Sequence, residues 1–194
     1  VIGGLDLSNV QTVADLGCGD GRFALPVAQG LGPNGVVYAV DSSPANLARL
    51  DLRAQEAGLS IQSINAELLD TRHLPEGEID LVMLNFVLNL MPRSQIDQCL
   101  DRVRVLLRPS GCLLVTTYGQ HHMANTYDWL SEALAYVGLP SEDAERTTRR
   151  MLNQDRPFFT LDNGSALLRD HFAQIALSQF DDVLEAPISA VERL

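Results

Sequence analysis

The stretch Val13-Ala14-Asp15-Leu16-Gly17-Cys18-Gly19-Asp20-Gly21 places an acid and three glycines where an apolar run ends. Glycines at that spacing let the backbone turn sharply and let a ligand lie directly against the main chain. Two cofactor classes use such a loop. A dinucleotide site needs GxGxxG, so that its pyrophosphate can sit on a helix N-terminus. Counted from Gly17, the third glycine of that pattern falls on Arg22, and the spacing here is GxGxG with Asp15 two residues ahead of it. Asp41 stands 20 residues after Gly21 and closes a second apolar run. A carboxylate there can accept hydrogen bonds from two ribose hydroxyls, a need shared by both cofactor classes. An isolated acid is more often a turn or cap, but this position after a strand favours the ligand role.

The remaining chemistry-bearing residues exclude more than they suggest. Cys18, Cys99 and Cys112 form no CxxC, and no Cys/His pair has ligand spacing, so three reduced thiols and no metal are expected. His121 and His122 are neighbours, and in extended chain they point opposite ways.

The elements that must position these residues alternate between strand and helix. Strands are expected over Thr12 to Leu16, Val36 to Val40, Ile61 to Ile64, Ile79 to Leu84 and Cys112 to Thr117. The fourth has almost no polar residue after Asp80, as a central strand covered on both faces requires. A first helix should start near Arg22 and fade at Gly30. Ser43 and Pro44 read as N-cap and first turn of a helix that Gly58 stops. Ser94, with Asp97 three residues on, can cap a helix whose apolar face is Ile96, Cys99, Leu100, Val103, Leu106 and Leu107. This repetition implies a parallel sheet with helices on both faces. Further on, Asp128 to Val137 and Gly164 to Phe172 read as helices, and Ser141 to Arg156 as a solvated loop in preference to a mobile cover. Ile175 to Phe180 and Val183 to Ala186 read as a late hairpin at the sheet edge.

A chain of 194 residues, 46% hydrophobic and 20% charged, fits one domain over 1–194. No apolar run is long enough to span a bilayer, and the default location is cytoplasmic. The formal net charge is −11, and all 14 basic residues are Arg. An acidic surface repels phosphate backbones, which argues against nucleic acid and for a small-molecule partner. Oligomeric state is not legible.

Several segments resemble one family. The acid followed by GxGxG is similar to motif I of the class I S-adenosylmethionine-dependent methyltransferases. Leu106-Leu107-Arg108-Pro109-Ser110-Gly111-Cys112-Leu113-Leu114 resembles the "vLkPGG" turn before their fifth strand. Thr116-Thr117-Tyr118-Gly119-Gln120-His121-His122-Met123 resembles the "TtxGxxHM" signature of a bacterial type 11 subgroup, and Phe159 to Phe172 resembles its closing "FxLENGxxxLxxxF" segment. The resemblance covers nearly the whole chain in order. It implies a Rossmann-like, seven-stranded, mostly parallel sheet with a C-terminal antiparallel hairpin, and methyl transfer from S-adenosylmethionine to a small molecule. It places Asp15, Gly17, Cys18, Gly19, Gly21, Asp41, Ser42, Ala66, Glu67 and Asn85 around that cofactor, with Asp70 as the alternative acid for the adenine. Asn89, Tyr118 and His121 would face the acceptor.

Two departures qualify what the resemblance implies. The family pattern after the fourth strand, close to "nhmLYH", has a His where this chain has Asn89, and a neutral amide cannot act as a base. His121 is then the remaining weak candidate, beside its plainer reading as a loop or capping residue. The chain also begins almost at its first strand, so the N-terminal cover segment of the family is expected to be absent from it, the residues being the remainder of a longer protein. Two rival readings stay open: a nicotinamide-dependent oxidoreductase, against which Arg22 argues, and a cofactor-binding protein without catalysis, which Asn89 favours and the intact glycine loop opposes.

Overall fold

The computed structural model describes residues 6–119, 124–151 and 159–178. Five strands alternate with helices through the first two thirds of the chain: β1 (Thr12–Leu16), α1 (Ala24–Gly30), β2 (Val36–Asp41), α2 (Pro44–Glu56), β3 (Gln62–Asn65), β4 (Ile79–Asn85), α3 (Arg93–Leu106) and β5 (Leu107–Thr116). Helices α4 (Ala124–Tyr136), α5 (Ser141–Met151) and α6 (Leu161–Arg169) follow. The sheet order is β3-β2-β1-β4-β5, and every pairing is parallel. Helices α1, α2 and α3 fill three of the four crossovers, the link from β3 to β4 carries none, and alternate strand residues feed one core on each face.

The two cores follow the strand alternation. Val13, Val37, Ala39, Leu81 and Met83 pack against α1 and α2 through Ala24, Val27, Leu47 and Leu50. Ala14, Leu16, Val82 and Leu84 point the other way, onto Ile96, Cys99, Leu100, Val103 and Leu106 of α3. Every residue of β4 is buried, as expected of an inner strand covered on both faces. Its one acid at the strand start, Asp80, is 5% exposed. Asp80 Oδ2 accepts the Gln11 and Thr12 backbone N–H groups at 2.8 and 2.9 Å, and Arg108 Nη1 lies 2.5 Å from Oδ1. This carboxylate ties the starts of β1, β4 and β5 together.

Several expectations need correction. The described residues form five strands rather than seven, and no antiparallel hairpin is among them. Residues 175–178 carry no strand, while Val183 to Ala186 lie outside the described residues. The Pro109-Ser110-Gly111 turn does not precede β5 but interrupts it: Ile79 pairs with Leu107 and Leu81 with Cys112, so the extra residues bulge out between these pairs. Gly111 suits the bulge, since a Cβ there would lie 2.7 Å from the Ile79 carbonyl oxygen. Helix α1 begins at Ala24, two residues later than Arg22, and α3 is capped by Pro92 without a side-chain bond, not by Ser94. The stretch from Ser141, read as a loop, is helical as far as Met151. Glu142 and Asp143 favour its N-terminus, and Ala144 and Thr148, one turn apart, are both buried. High charge hid a helix whose narrow buried face is built of small residues. Residues 152–158 lie outside the described residues.

Candidate functional site

At β1 the sheet order reverses direction, so the crossovers from β1 and β4 leave toward opposite faces. In an open parallel sheet such a switch point is where a crevice forms beyond the strands' carboxyl ends. The glycine loop after β1 lies there. Gly17 and Cys18 donate their backbone N–H groups to the Val40 carbonyl at 2.8 and 3.0 Å, which pins the loop to the end of β2. Gly17, Gly19 and Gly21 all have left-handed backbones, with φ of 76°, 55° and 85°. Their surroundings differ. A Cβ on Gly17 would meet Val87 Cγ2 at 2.7 Å, and one on Gly21 would meet Leu50 Cδ1 at 2.5 Å. At Gly19 nothing lies within 4 Å. The outer two glycines are thus tight against the protein, while Gly19 presents bare backbone to open space, which a ligand can approach closely.

Asp41 closes β2 and organises this loop. Its Oδ2 accepts the Gly19 N–H at 2.8 Å, and Oδ1 accepts the Ser43 N–H at 2.9 Å. Ser43 Oγ in turn caps α2 by accepting the Asn46 N–H at 3.3 Å. Oδ1 also accepts the Asn46 side-chain amide at 3.4 Å, which fills its two lone pairs, whereas Oδ2 keeps one for a further donor, so Asp41 can serve the loop and a ribose hydroxyl together. Ser42 is exposed between these two partners. The lip of the loop is held by Arg53, whose Nη1 donates to the Asp20 carbonyl at 2.9 Å and pairs with its carboxylate at 3.1 Å.

Asp15 lies beneath the loop with no exposed surface. Its Oδ1 accepts from Asn85 Nδ2 at 3.4 Å, and Asn85 Oδ1 accepts the Thr116 hydroxyl at 2.7 Å. The chain Asp15–Asn85–Thr116 therefore crosses the ends of β1, β4 and β5 in one line. Burial is the main reason the Asp15 carboxyl is pushed up to about 7, and the Asp41 charge adds to it, while the Asn85 amide opposes the shift. Asp15 Oδ2 is buried without a hydrogen-bond partner. Cys18 is 5% exposed, and burial, reinforced by Asp15 and Asp41, raises its thiol far above the usual range. It is a packed thiol, not a nucleophile.

The other expected residues divide. Ala66 and Glu67 follow β3, with Ala66 half-buried and Glu67 exposed. Asp70 instead forms a two-pronged pair with Arg72, at 2.8 Å for both bonds, which holds its carboxyl at about 2. That local pairing leaves Glu67 as the freer of the two acids. Asn89 lies in a 3-10 turn, Leu88–Leu90, with its Oδ1 buried and unpartnered. His121 is outside the described residues. Sequence reasoning missed Thr116, which is found by its register opposite Asn85. It also missed Phe23 and Phe86. Phe86 is the one described non-glycine residue with a positive φ, 56°, and its ring neighbours those of Phe23 and Tyr118, at centroid distances of 6.1 and 4.5 Å. Nothing in the sequence marks a phenylalanine as left-handed.

The residues present fit S-adenosylmethionine: bare backbone at Gly19, a ribose-ready carboxylate at Asp41, and an orphaned buried oxygen at Asp15. Among the described residues, no cluster of His, Cys, Asp and Glu could hold a metal ion, and no helix is long and apolar enough to cross a membrane.

Comparison with known proteins bears on the family and the fold. Residues 13–111, about half of the chain, match a family model for a methyltransferase domain. The chain is 27% identical over 167 residues to an uncharacterized methyltransferase, sll0829, of Synechocystis, covering 86% of this chain and 72% of that protein. It is 28% identical over 121 residues to the mouse (Mus musculus) tRNA N(3)-cytidine methyltransferase METTL2, covering 60% of this chain and 31% of that one. The chain thus spans about a third of the length of such relatives. Among solved structures, an S-adenosylmethionine-dependent methyltransferase from Aquifex aeolicus superposes with a TM-score of 0.58 at 17% identity, covering 83% of this chain and 71% of that one. That likeness is one of fold. Together with the family match over the segment that builds β1 to the start of β5, it assigns the chain to the class I S-adenosylmethionine-dependent methyltransferases.

Proposed function

We propose that this domain transfers a methyl group from S-adenosylmethionine to a small molecule seated beside the glycine loop. The observation that carries the reading is the open backbone at Gly19, whose N–H is held by Asp41. When bound, the cofactor supplies a methyl group activated by its sulfonium. Gly17 to Gly21 and Asp41 would hold it, with Ser42, Ala66 and Glu67 along the neighbouring strand ends and Asn85 toward its reactive end. Asn89, Tyr118 and His121 would meet the acceptor.

The chain's own contribution is positional. Asn85 fixes Asp15 and Thr116, so the floor of the crevice is rigid before anything binds. Asn89 cannot take a proton, and Asp15 is buried under the loop, which leaves alignment and exclusion of water as the main sources of rate. An acceptor that is already nucleophilic suits such a site.

Titration calorimetry tests the cofactor: S-adenosylmethionine or its demethylated product should bind far more tightly than NAD. The reverse order refutes the reading. A nucleic-acid acceptor is the second reading, supported by the name of the mouse relative. The net charge of −11 opposes it. Binding of tRNA that weakens steeply with salt would favour it over the small molecule.

A further inference from the structure

The line Asp15–Asn85–Thr116 has a direction, set by its middle member. The Asn85 amide has one accepting end, Oδ1, and one donating end, Nδ2. Oδ1 accepts the Thr116 hydroxyl at 2.7 Å, a usual length for O–H···O, whereas Nδ2 reaches Asp15 Oδ1 only at 3.4 Å. The short bond fixes the amide, and the long one takes what is left. Asn85 and Thr116 stand opposite each other in register at the ends of β4 and β5. A β-branched threonine is stiff about its first torsion, so the hydroxyl is delivered to one place. Asn85 is buried, which leaves solvent little access to its amide.

Which end of the amide faces Asp15 decides which form of that carboxyl it favours. With Nδ2 toward it, the amide donates to the ionised form. Turned over, it would offer Oδ1 to the hydroxyl of the protonated form, and Nδ2 would point at Thr116 Oγ1. That second arrangement takes from the hydrogen of the Thr116 hydroxyl the acceptor it now has, so Thr116 selects the first. Burial raises the Asp15 carboxyl most, and the Asn85 amide lowers it, as its donating end should. After these come the Asp41 charge, which raises it, and the Ala24 backbone N–H, which lowers it. Cys18, in the loop above, is held by its own burial as the neutral thiol.

We propose, resting on the methyltransferase reading, that Thr116 is a positioning residue: its hydroxyl holds the donating end of the Asn85 amide toward Asp15 and so keeps a negative charge available on the floor of the cofactor site. Asp15 Oδ2 is buried without a partner, so among the described residues Asn85 is the one side chain that donates to this carboxylate. A cofactor that brings positive charge binds best to the ionised form. What Thr116 does to the amide therefore reaches binding through Asn85 and Asp15.

The test uses the full chain without cofactor and follows the Asp15 carboxyl through a pH titration by carbon NMR, its signal identified by its loss in Asp15→Asn. Thr116→Val keeps the branched shape and removes the hydroxyl. It should raise the Asp15 midpoint by roughly half to one pH unit, the roughly three- to tenfold change in an equilibrium that one hydrogen bond carries. Thr116→Ser keeps the hydroxyl and should leave the midpoint near that of the parent. An unchanged midpoint in Thr116→Val, or one raised as far in Thr116→Ser, overturns the proposal. Calorimetric titration with S-adenosylmethionine at pH 7 reads the consequence. Thr116→Val should bind it roughly two- to fivefold more weakly, as the ionised share of Asp15 falls, and the same substitution made in Asp15→Asn should cost nothing further. A loss that persists in Asp15→Asn shows Thr116 acting by packing alone and overturns the proposal. Failure of the parent to bind S-adenosylmethionine would instead refute the cofactor reading, while the cofactor-free midpoints still decide what Thr116 does to Asp15.

Discussion

Replacing Asp15 with Asn removes one titrating group from the floor of the site while keeping its shape. In the folded chain this carboxyl is raised from 3.8 to about 7, chiefly by burial and then by the charge of Asp41. In the unfolded chain it returns to the ordinary value. Between about pH 4 and pH 7 the folded state therefore holds a proton that the unfolded state has lost, and stability falls as pH rises through that window, levelling off above it. At about 1.4 kcal/mol per pKa unit, the full loss is on the order of 4 kcal/mol. For a domain of this size, roughly 2–4 °C of melting temperature accompanies each kcal/mol, so the loss is roughly 8–16 °C. Calorimetric scans of parent and Asp15→Asn at pH 5, 6, 7 and 8 isolate the effect, since all other carboxylates are common to both. Relative to the parent, the variant should gain stability steadily from pH 5 to pH 7. Because a sulfonium carries positive charge, S-adenosylmethionine should also stabilise the parent more at pH 8 than at pH 6, and the variant equally at both. Parallel melting curves for parent and variant across the whole range would refute the argument, since Asp15 would then be ionised throughout.

Four further substitutions separate binding from stability. Asp41→Ala should weaken cofactor binding by about 1.5–3 kcal/mol in calorimetry, and should also lower the melting temperature, because the Gly19 and Ser43 N–H groups lose their acceptors; unchanged affinity would show the acid to be structural only. Gly19→Val should leave a folded apo domain at a cost of roughly 1–2 kcal/mol for the left-handed backbone, yet abolish the thermal shift given by S-adenosylmethionine, whereas Gly21→Ala, facing Leu50 at 2.5 Å, should mainly destabilise the fold. Asp80→Ala should destabilise by roughly 3–5 kcal/mol in urea unfolding, as two backbone donors and Arg108 lose their partner, while cofactor affinity at a temperature where the variant is folded stays within twofold.

The parts of the fold legible in the sequence are those set by local pattern. Val36 to Val40 reads as a strand because it is apolar and rich in valine, and Ser43-Pro44 announces α2 through cap and proline chemistry. The bulge in β5 was not legible, because the same Pro-Ser-Gly that breaks a strand also permits it to bend and continue once β4 supplies a partner. In α5 the charged residues outnumber the buried ones, so periodicity gave way to an apparent loop. At the site, Asp15, the glycines and Asp41 were visible from spacing. The line from Asp15 through Asn85 to Thr116 was not, for it joins three strands far apart in sequence and exists only in the register of a parallel sheet.

That register also explains why the molecule separates its binding chemistry from its stability. Asp41, Asn65, Asn85 and Thr116 are each the last residue of a strand, and the glycine loop follows the last residue of β1. A strand covered on both faces tolerates a polar side chain only where a helix no longer covers it, which is at its ends. One end of the sheet uses that freedom for donors and acceptors that converge on the crevice. At the other end the buried Asp80 ties three strands together. Asp15 is the exception, lying one residue inside β1, fully buried and short of partners. A carboxyl in that place costs stability at neutral pH, and the hydrogen bond it accepts from the Asn85 amide, at 3.4 Å, is a long one. The feature that gives it a use is the loop above, where a cation-bearing ligand would recover in binding the charge that folding disfavours.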